Sequence, residues 1–231
     1  MADIKEQLVT VDQLYRSYKY QEALDFVRTI VDQSAPEVLW RHARALFDLA
    51  ELDANSAKKP ELIREAYKLI SEALEKDDQN CFCHAWYAVL LDAKGQVEGM
   101  KERATNLMTV KKHMERAVEL KPDEFISQYI LGEFAYGIAD MPWYQKKIVS
   151  AVFAAPPTGT FEEALHHYLK AEAVETFFHV KSKLMIGKCY YQLKNNDKAK
   201  EYFLMTVNAE PKTEEDHKAK KEAEALLKKV K

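Results

Sequence analysis

Two short runs carry the residue types of metal chemistry. Glu163-Ala-Leu-His166 and Glu214-Glu-Asp-His217 each set a carboxylate and an imidazole three residues apart, the spacing that di-iron bundles use to aim both ligands inward. Such centres also need two further inward-facing carboxylates, so no metal is expected at either run. Cys81-Phe-Cys83-His84 looks metal-like in print, yet on a helix Cys81 and Cys83 point to different faces, and ordinary packing is expected. His166-His167 is expected on a helix surface, with Glu163 paired to His167 one turn away. Gly95-Gln-Val-Glu-Gly99 is not followed by Lys and Ser or Thr, and Pro156-Pro157-Thr158-Gly159-Thr160 has no strand before it. Both read as turns, not phosphate loops. Ser, His and Asp are scattered without a nucleophile elbow. The expectation is a protein that is not an enzyme, with no catalytic residues, no metal and no cofactor.

What the sequence does carry is helix. Hydrophobic residues make up 47% of the chain and charged residues 31%, while only 6 Gly and 7 Pro interrupt them, which suits long helices joined by short turns. The net charge of -3 offers no global attraction for nucleic acid, so any basic surface must be local. The charged start Met1-Ala2-Asp3-Ile4-Lys5-Glu6, and the lack of any run of about 18 apolar residues, predict a chain neither secreted nor membrane-spanning. Its 3 cysteines, an odd count without zinc or disulfide spacing, fit a reducing cytosol.

The helices repeat. A tetratricopeptide pair asks for a large residue, Leu-Gly and an aromatic on one helix, then Ala, an aromatic and a closing Pro on its partner. Lys183, Ile186-Gly187 and Tyr190 fill the first set; Ala199, Phe203 and Pro211 follow Gly187 by twelve, sixteen and twenty-four residues, as the consensus requires. Leu131-Gly132 opens an earlier copy whose second helix, with Ala164, Tyr168 and Ala171, arrives about twenty residues late. Trp40, Ala43 and Phe47 pair with Ala66, Ile70 and Ala73; His84-Ala85-Trp86-Tyr87 pairs with Met114, Ala117 and Pro122; Ala23, Val27 and Ile30 complete a degenerate first copy. The small residues let two helices approach closely while aromatics fill the space beside them, and each short helix depends on its neighbours. Ser34…Glu37 and Thr160…Glu163 read as capping boxes. Ala219, Ala223, Leu226, Leu227 and Val230 mark an amphipathic capping helix. The fold class expected is all-α: a tetratricopeptide-like α-solenoid of about five antiparallel helix pairs. It forms a single domain over 1–231, with an insertion at about 141–160 and a capping helix at about 213–230.

The helix pairs, the runs Val38-Leu39-Trp40-Arg41, Ala43-Arg44-Ala45 and Cys83-His84-Ala85-Trp86-Tyr87-Ala88, and Leu131-Gly132 followed by the insertion Trp143 to Phe161 resemble the regulator of microtubule dynamics family. Within the insertion, Lys146-Lys147, Phe153, Ala155-Pro156-Pro157 and Phe161-Glu162-Glu163-Ala164-Leu165 look like the family's signature; the resemblance runs from about Tyr15 to Pro211. It implies association with microtubules, spindle-associated proteins, the mitotic spindle and its poles, and an influence on chromosome segregation. Some members are anchored to organelle membranes by an N-terminal hydrophobic segment; this chain, without one, is similar to the soluble nematode-type members.

Candidate binding residues follow from the repeat register. Arg41, His84, Tyr129, Tyr136, Lys188 and Tyr191 should line the groove that first helices form, although Tyr129 and Tyr136 equally suit the repeat core. They lack the Lys and Asn pairs of a chaperone-binding carboxylate clamp. Acidic tubulin tails call for basic surface, and three clusters supply it: Lys111-Lys112 with Arg116, Lys146-Lys147 beside Trp143 and Tyr144, and Lys218, Lys220, Lys221, Lys228 and Lys229. Taken singly, each suits a solvated helix face better than a binding site. The insertion is preferred because it departs from the repeat. The rival reading is a phospholipid-binding or organelle-contact module, suggested by the amphipathic run Ile148-Val149-Ser150-Ala151-Val152-Phe153.

Overall fold

The structure is a computed structural model that describes residues 3–52, 57–174 and 179–230. Among the described residues there are twelve α-helices and no strand. They divide into two compact units, Met1–Lys121 with Ile148–Pro156 and Pro122–Lys147 with Pro157–Lys231.

The first unit holds three antiparallel pairs: α1 (Ile4–Arg16) with α2 (Tyr20–Val27), α3 (Pro36–Leu52) with α4 (Lys59–Lys76), and α5 (Cys81–Glu98) with α6 (Met100–Leu120). Ala23, Val27, Ile30, Trp40, Ala43, Ala66, Ile70, Ala73, Met114 and Ala117 are all buried, as the repeat register requires. Trp40 of α3 stacks on Phe82 of α5 at 4.7 Å between ring centroids, so aromatic contact joins one pair to the next. Gly99, at φ 115°, ends α5 and begins α6 by itself, a backbone that a residue with a Cβ would strain. Gly95, expected in a turn, instead lies inside α5, where an added Cβ would sit 2.7 Å from the Arg103 Cα. It is there to let α5 and α6 close up beside their hairpin.

The second unit pairs α7 (Phe125–Ala139) with α9 (Phe161–Val174) and α10 (His179–Gln192) with α11 (Asn196–Asn208), and lays α12 (Glu214–Leu227) against α10 and α11. The delayed second helix is real: between α7 and α9 the chain forms α8 (Trp143–Val152), an extra helix inside the repeat. Gly132 faces Tyr168 and Gly187 faces Phe203, so the small-residue positions read from the sequence are points of close helix approach. Ala219 and Ala223 of α12 join the cluster of Val180, Leu184, Ala199 and Phe203, with Leu226, Leu227 and Val230 packed beside them. That covers apolar surface a bare α10–α11 pair would expose, at about 25 cal/mol per Å².

Caps differ in part from expectation. Thr160 Oγ1 accepts from the Glu163 N–H at 3.1 Å. Ser34 does not cap α3: its hydroxyl donates to Asp32, and Pro36 opens the helix with the Ala35 carbonyl accepting from Val38 and Leu39. Glu37 is drawn away to Trp40, Arg41 and Asn80. The complete box is at α12, where Thr213 and Asp216 bond reciprocally; Asp at the third position does what Glu usually does.

All three cysteines are buried and none forms a disulfide. Burial pushes the thiols of Cys83 and Cys189 up to about 12.

Candidate functional site

α8 is short, and its sequence divides it into two faces. Val149 is buried, while Trp143, Lys147 and Ala151, each four residues apart on one face, are exposed together with Tyr144 and Lys146. Trp143 is 70% exposed, unusual for the largest apolar side chain. Tyr144 meets it edge-on at 6.2 Å, and the Lys147 ammonium lies 4.9 Å from its ring centroid. The segment 141–160 has no carboxylate, and neither Lys146 nor Lys147 pairs with one among the described residues.

The contrast with α10 is informative, because that helix also has lysines and no acid of its own. There Lys181 pairs with Glu215, Lys183 with Glu172 and Lys188 with Glu222, at 2.9, 3.3 and 2.8 Å. Its charge is spent within the fold; that of α8 faces solvent.

The other basic clusters are partly engaged or lie among acidic residues. Lys111 pairs with Glu115 at 3.7 Å, and Arg116 bonds Glu119 and Gln79, leaving Lys112 exposed. On α12, Lys218 and Lys221 are exposed, but Lys220 donates to the Ala209 carbonyl at 2.6 Å.

The residues expected to line the groove divide between the units. In the first unit, Arg41 donates twice to Asp12 and also to Glu37, while Arg44 shares Asp12. Burial would raise the Asp12 carboxyl, but hydrogen bonding by Arg41 and the charges of Arg44 and Arg41 outweigh it and hold the carboxyl low. Arg41 and Arg44 also lie over Trp40 and Arg44 over Tyr15, so this cluster ties α1 to α3. In the second unit, Tyr129 and Tyr136 are 7% exposed and fill repeat core: Tyr129 stacks on Phe125 and meets Tyr168, and Tyr136 meets Phe161. Burial raises both hydroxyls. Lys188 lies 5.4 Å from the Tyr136 ring, and Tyr191 is half-buried with Lys194 at 5.9 Å.

His84 has a partner the sequence did not suggest. Its Nδ1 lies 2.8 Å from the Nδ1 of His113 on α6, and its Nε2 lies 2.9 Å from the Asp78 carbonyl oxygen. Burial, His84 and Lys112 together bring His113 down to about 4. The two residues are 29 apart and share no local pattern, so only the packing of α5 on α6 reveals the pair. His167 likewise bonds Gln128 at 2.7 Å rather than pairing with Glu163, because α9 packs that face against α7.

Comparison with known proteins agrees with this architecture. A thermophilic TPR protein from Thermus thermophilus is similar at a TM-score of 0.62 and 15% identity, over 96% of this chain and 98% of that one, a likeness of fold. Regulator of microtubule dynamics protein 1 from Bos taurus is 36% identical over 97% of this chain and 71% of its own length, and the Mus musculus protein of that name is 37% identical over 98% and 74%. The family model described as regulator of microtubule dynamics protein 1-3 matches residues 7–231. With a match running through both units, including the helix that interrupts the repeat, the chain belongs to the regulator of microtubule dynamics family.

Proposed function

We propose that this chain is a non-enzymatic, tetratricopeptide-like binding protein that engages microtubules or spindle-associated proteins and thereby influences microtubule dynamics and chromosome segregation. The observation that carries the reading is the outer face of α8: an exposed tryptophan and tyrosine beside two lysines that no carboxylate among the described residues neutralises. Such a face suits an acidic partner, with aromatic area as anchor and lysines for attraction. The family resemblance supports placing that action at the spindle and spindle poles, in a cytoplasmic setting. The remaining basic residues, Lys111, Lys112, Lys218, Lys220 and Lys221, are secondary contacts.

The test is co-sedimentation with stabilised microtubules over a salt series. Binding should weaken as salt rises and should be lost in Lys146→Glu/Lys147→Glu, a pair exposed enough to change without disturbing the fold. Salt-independent binding, or an unaffected double variant, would remove α8 from the contact.

The same face favours a second reading, a phospholipid surface, because Trp143, Tyr144 and Val152 are exposed apolar groups on a helix with lysines. No described helix is long and apolar enough to cross a membrane. Flotation with anionic vesicles separates the two: protein recovered entirely in the bottom fraction ends the lipid reading.

A further inference from the structure

We propose that His84 and His113 form a two-imidazole site for a divalent transition-metal ion of the zinc class, within the first unit and apart from α8. The two Nδ1 atoms converge from adjacent helices to 2.8 Å, at the wall of a cleft of about 340 Å³. A carbonyl oxygen only accepts, so the contact between His84 Nε2 and the Asp78 carbonyl places the proton on Nε2. In the neutral ring His84 Nδ1 is then a lone pair, and His113 Nδ1–H donates to it. Metal-ligating histidines are usually fixed in this way, with the far N–H held by a backbone oxygen. His84 is therefore already set in ligand form.

His113 reaches ligand form by a change of tautomer. Its proton moves through solvent from Nδ1 to Nε2, leaving both Nδ1 atoms with lone pairs. Two zinc–nitrogen bonds of about 2.0–2.1 Å at a tetrahedral angle set those nitrogens about 3.3 Å apart, so the pair has to open by about 0.5 Å. Small rotations of two imidazoles on packed helices supply that. His113 is also held by Tyr87, whose ring lies 4.5 Å away and whose hydroxyl bonds Tyr67.

The cleft around the pair is close to neutral: it holds the carboxylates Asp78, Glu115 and Glu119 and the cations Lys112 and Arg116, with Arg116 paired to Glu119 and Glu115 to Lys111. No set of three His, Cys, Asp or Glu side chains suited to a metal occurs among the described residues, so water fills the remaining positions and the ion exchanges readily. Imidazole donors and water select zinc, copper or nickel over magnesium or calcium.

The experiment titrates the full chain, stripped of metal by chelator, with Zn²⁺ by calorimetry, alongside His84→Gln, His113→Gln and, as a control elsewhere, His166→Gln. The expected result is one ion per chain, bound about tenfold or more weakly by either cleft variant and unchanged by the control. Binding as tight in both cleft variants as in the parent, or no binding by the parent, overturns the site. If His84→Gln fails to fold, ¹⁵N imidazole spectra of the parent decide. Zn²⁺ should shift the Nδ1 resonances of His84 and His113 while the His84 Nε2 proton is retained, and shifts confined to other histidines overturn the proposal.

Discussion

Gly187 and Phe203 interlock: a Cβ added to Gly187 would come within 2.7 Å of both Cδ1 and Cε1 of the Phe203 ring. Phe203 is wholly buried in a cluster that spans α10, α11 and α12, so the ring has little room to yield. Gly187→Ala should therefore destabilise the chain by about 1–3 kcal/mol, read from the urea midpoint. Gly137 gives the opposite sign, because nothing lies within 4 Å of its Cβ position. Gly137→Ala should stabilise α7 by about 0.5–1 kcal/mol.

Asp12 carries two guanidiniums at once, and removing it leaves Arg41 and Arg44 largely buried without their shared carboxylate. Asp12→Ala should cost about 2 kcal/mol, less than a fully buried pair because Asp12 keeps some contact with water. Urea unfolding checks this. If Arg41 served only a partner, Arg41→Ala would leave the urea midpoint unchanged; the expected result is a lowered midpoint.

Acid should weaken the fold in two stages. Burial and the neighbouring Arg28 lower His42 from 6.5 to about 4, and the fold holds it neutral. Between those values the unfolded chain binds more protons, so stability is fully present above pH 6.5 and is lost as pH falls toward 4. Asp12 and Glu37, both held low, contribute stability that disappears further down, as pH falls through their folded values. Urea midpoints from neutral to acid pH should show the upper decline shrink in His42→Gln and the lower one persist.

The repeat was legible in the sequence because close helix approach admits few residue types, and Gly132, Gly187, Ala164 and Ala199 stand where those types are required. α8 announced itself as a gap in that register. What stayed hidden depends on side chains brought together across the fold: Asp12 with Arg41 and Arg44, His84 with His113, and His167 with Gln128. Local reading also misplaced Ser34 and Gly95. Asp32 competes for the serine hydroxyl, and α5 continues past the first glycine because Gly99 alone makes the turn. Neither competition leaves a mark in spacing.

Trp143 offers a direct reading of α8. Trp143→Ala should change the unfolding free energy by no more than ~0.5 kcal/mol, since the ring is mostly in water. The same change should weaken sedimentation with microtubules. In the parent chain, tryptophan emission should move to shorter wavelength on binding, and Trp143→Ala should abolish that movement.

The buried thiols turn the chain into its own clock. Cys81 and Cys83 belong to α5 in the first unit and Cys189 to α10 in the second. An alkylating reagent reacts with thiolate; burial denies it access to all three cysteines, and thiolate at Cys83 and Cys189, until a helix opens. Pulses of such a reagent, followed by peptide mass spectrometry, would therefore time the opening of each unit separately in the native chain, without any engineered label.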